Sequence, residues 1–408
     1  MDNERHMKRT AEKEDRIKTG MNRHQSVYLN TIFLLLIFGF TAATLLHQQR
    51  EKSETENRPL QQRPGLTWSS LISGEFAKKY EDYLSDQFVG RDGWITLKTG
   101  FERAMLKQES EDVYFAKDDY LIEAHTGVFT TDKAEHNIQT LGAFFAQLSE
   151  RYDPAHLTCI VAPNAVDILR DKLPAFAQPY DEEAYLSKIR DALPEGVWLD
   201  SSEVLRAYRD EAAEDGTKNE VYYRTDHHWK TGAAYAVYRA WLEQKGLNAA
   251  AEPSYTAAVV SDTFEGTIAS RLGIAGRADT IERYDPDKPF DYYLVYNQTD
   301  DIRNSVFQES HLATKDQYAC FYGGNFGLIE AFMPEAGTGR KLLIIKDSYS
   351  HCFAPFTYAQ FDEVDMVDPR YYNASIKELM EAKDYTDVLF LFNAAGFAEE
   401  SAIARLLA

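Results

Sequence analysis

Residues Val27–Leu46 (VYLNTIFLLLIFGFTAATLL) run for 20 positions without one charge. A helix rises about 1.5 Å per residue, so this run matches the roughly 30 Å hydrocarbon core of a bilayer. Such a segment either crosses a membrane, is cleaved as a signal, or is hidden in a core. A cleaved signal usually has an apolar stretch of about 7–15 residues ending in an A-x-A-like site. Here the run is longer, and Ala42-Ala43 lies inside it with Leu45-Leu46 following. The expectation is an uncleaved signal anchor, with cleavage and core burial as the alternatives. Residues 1–25 hold seven Lys/Arg and five Asp/Glu, an excess that places the N-terminus in the cytoplasm by the positive-inside rule. The expected organisation is a cytoplasmic tail (1–26), a transmembrane signal anchor (27–46), a linker and helical stalk (47–110) and an extracytoplasmic α/β domain (111–408).

Charge separates along the same lines. The 408 residues carry 44 Lys+Arg against 65 Asp+Glu, a formal charge of −21. The first 46 residues have two more bases than acids, so the remainder carries −23. That balance excludes a nucleic-acid binder, because phosphate affinity comes from Lys and Arg displacing counterions. It disfavours coating of anionic lipid for the same reason. Three cysteines exclude a disulfide-built scaffold. Cys159 sits in an apolar strand pattern and reads as core, and Cys320 has no evident partner.

Beyond the apolar run, residues 47–66 have a linker composition with Pro59 and Pro64. From Gly74 to Lys107 apolar residues recur at three- and four-residue spacing, with breaks expected at Gly90 and Gly93. Val113–Phe115 and Tyr120–Ile122 read as a hairpin around Lys117-Asp118-Asp119. Helices are expected over Asn137–Arg151, Tyr185–Ala192 and Lys230–Lys245, the last closed by Gly246. Leu157–Ala162, Val197–Asp200, Lys341–Lys346 and Val388–Phe392 read as strands, two of them continuous apolar runs buried on both faces. Alternating strands and helices predict an α/β sheet sandwiched between helices.

Chemistry concentrates in two stretches. The first is Tyr222-Tyr223-Arg224-Thr225-Asp226-His227-His228-Trp229. Carboxylate and imidazole are zinc ligands, but no H-x-x-x-H or cysteine pair completes a site, and no metal or cofactor is expected. A helix-start cluster capped by Asp226 is a second reading. The third is a couple in which Asp226 orients the His228 imidazole and stabilises its cation. The second stretch is Leu342–Ser350, where a buried strand ends in Asp347-Ser348 and a helical segment follows. A serine there stands at the carboxyl end of the sheet, beside free N–H groups able to hold an oxyanion. The plain alternative is that Asp347 or Ser348 caps the helix. His351 is a rival base without an evident acid partner, and Cys352 reads as a small packed hydrophobe.

The T-D-H-H-W-x-T-x-x-A context of 225–234 together with I-I-K-D-S-Y at 344–349 resembles the bacterial DHHW protein family. That family is similar to the AlgX- and AlgJ-type alginate O-acetyltransferases, and Asp86–Asp92 and Lys117–Ile122 resemble the N-terminal part of the same group. The resemblance implies a three-layer α/β/α SGNH-hydrolase-like domain over 111–408. It implies Ser348 as nucleophile, His228 as base and Asp226 as its orienter, with no role for His227. A membrane-bound O-acyltransferase would supply acetyl, and a cell-surface polysaccharide would receive it. The usual Gly-Asp-Ser opening reads Lys346-Asp347-Ser348 here. The main chain at Tyr349, the Gly323-Gly324-Asn325 turn and Asn393 are the oxyanion candidates, with a tight turn and a loop cap as plain alternatives. Arg224, Trp229 and Lys346 are candidate substrate contacts, with solvated charge or core packing as theirs. A non-catalytic glycan-binding or export-scaffold protein is the competing reading of the whole chain.

Overall fold

The computed structural model describes residues 23–53, 55, 56, 58–211, 218–247 and 252–407. Most of the expected cytoplasmic tail, up to residue 22, lies outside the described residues. The chain forms two compact units. One comprises the segments up to Ser53 and Arg58–Trp94, and the other comprises 54–57 and everything from Ile95 onward.

In the first unit the helix Arg23–Leu46 contains a 22-residue stretch, Gln25–Leu46, long and apolar enough to cross a membrane. Its apolar side chains are exposed, as Phe33 and Leu35 show. The Glu75–Asp86 helix follows Gly74. The next helix, Arg91–Ala104, starts after Gly90, whose positive φ of 69° turns the chain. Gly93 does not break the stretch, since it lies inside that second helix. Asp86 takes two hydrogen bonds from Arg58 (2.6 and 3.0 Å) and one from the Gln61 N–H. Gln87 accepts from the Arg50 N–H at 2.9 Å. The Asp86-Gln87 dipeptide thus holds the linker by its backbone and cations.

The second unit is built on one seven-stranded mixed sheet. Its strands are β1 (Leu157–Ala162), β2 (Tyr293–Tyr296), β3 (Ile302–Arg303), β4 (Leu328–Phe332), β5 (Lys341–Lys346), β6 (Glu363–Val367) and β7 (Asp387–Asn393). Their order is β3-β2-β4-β6-β5-β7-β1. β6, β5, β7 and β1 run parallel, and β4, β2 and β3 continue the sheet antiparallel. In β5, Leu342 and Ile344 enter one apolar cluster and Leu343 and Ile345 the other, as strand alternation demands. The first cluster takes up the Thr231–Gln244 helix through Ala233, Val237 and Trp241; the second takes up Asp132–Leu148 through Leu141 and Phe145. Both faces are dry, which explains why β5 reads as an unbroken apolar run. Each such fully buried Leu or Ile contributes about 1.5–3 kcal/mol.

The hairpin expected at 113–122 is present, as Val113–Phe115 paired with Leu121–Glu123. Val197–Asp200 is not a strand. Only Trp198 pairs there, with Cys159, because the Asp200 side chain caps the Ser201–Asp210 helix and turns the chain away. The segment after Ser348 is a 3-10 turn, Ser348–Cys352, followed by the four-residue helix Ala354–Thr357.

Candidate active site

β5 delivers Asp347 and Ser348 to the carboxyl edge of the sheet. Asp347 caps the turn by accepting from the Tyr349 N–H at 2.9 Å. Its other oxygen accepts from the Asn393 N–H and side-chain amide, at 2.8 and 2.7 Å. The capping alternative therefore holds for Asp347 and leaves the Ser348 hydroxyl unclaimed by a cap.

The 222–229 segment is a tight loop closed by a Tyr222–Trp229 bridge. Asp279 anchors it, accepting from the Arg224 N–H, the Thr225 N–H and the Thr225 hydroxyl (2.9, 2.9 and 2.6 Å). Two bonds stitch the loop to the serine turn. The Trp229 indole donates to the Tyr349 carbonyl at 2.9 Å, and the Tyr349 hydroxyl donates to the His227 carbonyl at 2.5 Å.

These ties place His228 Nε2 2.7 Å from Ser348 Oγ and His228 Nδ1 2.5 Å from Asp226 Oδ1. An ionised carboxylate only accepts, so Nδ1 carries the proton and the Nε2 lone pair faces the serine hydroxyl. Asp226 Oδ2 accepts from the Thr267 N–H and hydroxyl at 2.8 and 2.9 Å. Gly266 permits that approach, because a Cβ there would lie 2.3 Å from Asp226 Cβ. The His228 ring is held between Tyr318 (centroids 3.8 Å apart, 16° between planes) and His227 (3.9 Å, 35°).

Burial opposes charge on His228, and the His227 beside it adds to this. Together they outweigh the pull of Asp226 and lower the imidazole to about 4. Burial alone would raise Asp226, but the two histidines and the Thr267 N–H hold it below the ordinary carboxylate range. The resting pair is thus a neutral base beside a carboxylate.

Ser348 opens into a cavity of about 250 Å³, lined also by Asp226, His228, Tyr318, Gly324 and Asn325. Its cations are Lys315 and Arg370. The Ser348 N–H starts the 3-10 turn and finds no acceptor among the described residues, and the exposed Asn325 amide has no partner among them either. Other candidates lie elsewhere. The Tyr349 N–H is spent on Asp347, and Asn393 is occupied by Asp347, Asn164 and the Gly396 N–H. Trp229 and Lys346 are fully buried and meet no substrate surface. Lys346 is turned inward to His351 Nε2 (2.8 Å) and Asp368 (3.3 Å). Arg224 is partly exposed but pairs with Glu220 and does not line the cavity. Among the described residues, Cys159, Cys320 and Cys352 are buried free thiols.

Asp226, His227 and His228 bring one ligand atom each within 4.8 Å, as do Glu330, Glu363 and Asp365. In the first group, both His228 nitrogens and both Asp226 oxygens are already bonded. In the second, Lys383 Nζ sits among the carboxylates at 2.5, 2.6 and 3.1 Å. Three participants escaped the sequence reading: Tyr318, Thr267 and Arg370. Thr267 opens the Thr267–Leu272 helix, Tyr318 lies in the 3-10 turn Gln317–Cys320 and Arg370 in the turn after β6, and none carries a local motif.

Residues 197–367, which contain both chemical stretches, match the DHHW protein family. Among solved structures the chain is similar to a DHHW family protein from Eubacterium siraeum (21% identity, TM-score 0.55, covering 73% of this chain and 95% of that one). It is also similar to PatB1 of Bacillus cereus, solved with a sulfonyl adduct (18%, TM-score 0.58, 71% and 97%). A further match is the O-acetyltransferase domain of Pseudomonas putida AlgJ (13%, TM-score 0.43, 72% and 98%). No curated protein matches the chain. That match over residues 197–367 agrees with the DHHW-family resemblance read from the Asp226–Trp229 block.

Proposed function

We propose that the chain is a membrane-anchored, extracytoplasmic serine acyltransferase or esterase that modifies a cell-surface polysaccharide. The observation that carries this is the unbroken hydrogen-bond line from Asp226 through His228 to Ser348 at the mouth of a cavity. Ser348 Oγ attacks the carbonyl carbon of an acyl ester while its proton passes to His228 Nε2. Asp226 holds the imidazolium so formed. The Ser348 N–H and the Asn325 amide offer donors for the oxyanion, with Gly324 shaping the turn beside them. The leaving alcohol takes the proton from His228, and an acyl-serine remains. A sugar hydroxyl then gives its proton to His228 and attacks, so that acyl transfers to the sugar and Ser348 regains its hydrogen. Attack by water yields the free acid instead.

In this reading the sheet with its two covered faces is a three-layer SGNH-like arrangement over 111–408. The Val27–Leu46 segment is its single-pass anchor, and 47–110 its stalk. The resemblance to alginate acetyltransferases supports acetyl as the acyl group and a membrane-bound O-acyltransferase as its source. The test uses the full chain in detergent. It is expected to release p-nitrophenol from p-nitrophenyl acetate and to be labelled by a serine-directed fluorophosphonate, and Ser348→Ala is expected to abolish both. A folded Ser348→Ala variant that keeps the wild-type rate would remove Ser348 as nucleophile. A folded wild type that neither hydrolyses nor labels would favour the scaffold reading.

A further inference from the structure

The Ser348–Cys352 turn is a wall of two cavities. Ser348 and His351 face the one described above, and Cys352 faces a second of about 250 Å³. This second cavity is walled by rings, chiefly Tyr255, Tyr284, Phe290, Tyr292, Phe307 and Phe356. Phe290 and Tyr358 also line a third cavity of about 370 Å³, so the two cavities adjoin at these rings. None of these rings takes part in the Asp226–His228–Ser348 line.

Ring faces alone describe an apolar hollow, but the polar groups at this one are specific. Arg283 donates through Nε and Nη2 to the two oxygens of Asp285 at 2.6 and 2.9 Å. This flat pair is open to solvent, with side-chain exposures of 37% and 46%. It presents donors and acceptors side by side, the arrangement that a pair of adjacent sugar hydroxyls can answer. Two further atoms, Tyr255 Oη and Glu252 Oε1, are buried with no partner among the described residues. Buried polar atoms normally find a partner, and an orphan costs about 1–3 kcal/mol. One orphan belongs to each of the two adjoining cavities.

Charge selects among glycans. Arg283 is balanced by Asp285 and has Glu309 at 3.8 Å. Around the third cavity, Lys288 stands against Glu252, Asp291 and Glu335. No net positive field is available to hold a polyanion.

We propose that this ring-walled cleft is a second binding site, distinct from the Ser348 pocket, that holds a neutral hexose oligomer by stacking on Phe290 and the tyrosines and by hydrogen bonds to Arg283 and Asp285. It rests on the polysaccharide reading only for the choice of a glycan. Its role is to keep a polymer on the protein while one unit is presented elsewhere.

The test is calorimetric titration of full-chain Ser348→Ala, in detergent, with cellohexaose and, in parallel, with hexagalacturonate. Cellohexaose is expected to bind, and Phe290→Ala to weaken it roughly tenfold, the scale of one lost ring contact. Arg283→Gln is expected to weaken it several-fold. No cellohexaose binding, binding unchanged by both substitutions, or tighter binding of hexagalacturonate would each overturn the proposal. Failure of Ser348 to act as a nucleophile would leave this binding result standing, so the two readings fail separately.

Discussion

His228 and His351 line the same cavity, and both are almost wholly buried. Burial lowers the pKa of each. Their partners differ. His228 donates its Nδ1–H to Asp226 and turns its Nε2 lone pair to Ser348. His351 receives Lys346 Nζ at Nε2, so the lone pair that would accept a proton is already in use. Lys346 in turn leans on Asp368, which Arg370 grips through both oxygens at 2.8 and 2.6 Å. One histidine is arranged to take a proton and the other to brace a cation. Residue type and burial do not distinguish them; the neighbour at the ring nitrogen does.

The sharpest way to break this contrast is to delete the first ring. His228→Ala is expected to lower kcat/KM for p-nitrophenyl acetate by about 10⁴-fold or more. A loss below tenfold would hand the base role to another group. Asp226→Asn keeps the shape but lets the wrong ring nitrogen carry the proton, and a fall of about 10³-fold is expected.

The pH profile sharpens the comparison further. In the proposed mechanism the neutral form of His228 is the base, and burial lowers its pKa to about 4 from the ordinary 6.5. The rate should therefore hold steady as pH falls below 6.5, then drop about tenfold per unit below about 4. A limb near 6.5 would mean that the ring is not desolvated during turnover. The same lowering has a stability side. Its contribution to folding is fully present above 6.5 and is lost as pH falls through about 4, because only the unfolded chain takes up the proton in that window. A thermal-melting series over that range reads it directly.

The smallest effect on rate is expected from His351→Gln, within about fivefold, because the amide oxygen still accepts from Lys346. Lys346→Ala should instead cost stability, about 3 kcal/mol, since it leaves Asp368 with one cation fewer in a buried site. A large rate loss in folded His351→Gln would show that the two histidines are not divided as described.

Much of the frame was legible in the sequence because it rests on local pattern. The Lys341–Lys346 strand, the 113–123 hairpin and the cap of Gly246 follow from periodicity and turn chemistry. The Asp-His-His-Trp block was legible because its residues are adjacent. Trp229 and Lys346 were candidate substrate contacts, and both are instead buried. Here the ring bonds the serine turn, and the ammonium meets Asp368 across the neighbouring strand end. Tyr318 was invisible for a different reason. Its place against His228 depends on 90 residues of intervening fold, and nothing in Gln317–Cys320 marks it.

The clamp on Asp347 has a consequence for timing. The amide pair that steadies it belongs to Asn393, 46 residues further along the chain. Histidine and serine themselves are 120 residues apart. A chain made from its N-terminus would therefore hold an unclamped serine turn until its last parallel strand, Asp387–Asn393, had formed and docked. The geometry around Ser348 is thus completed only by a segment close to the end of the chain.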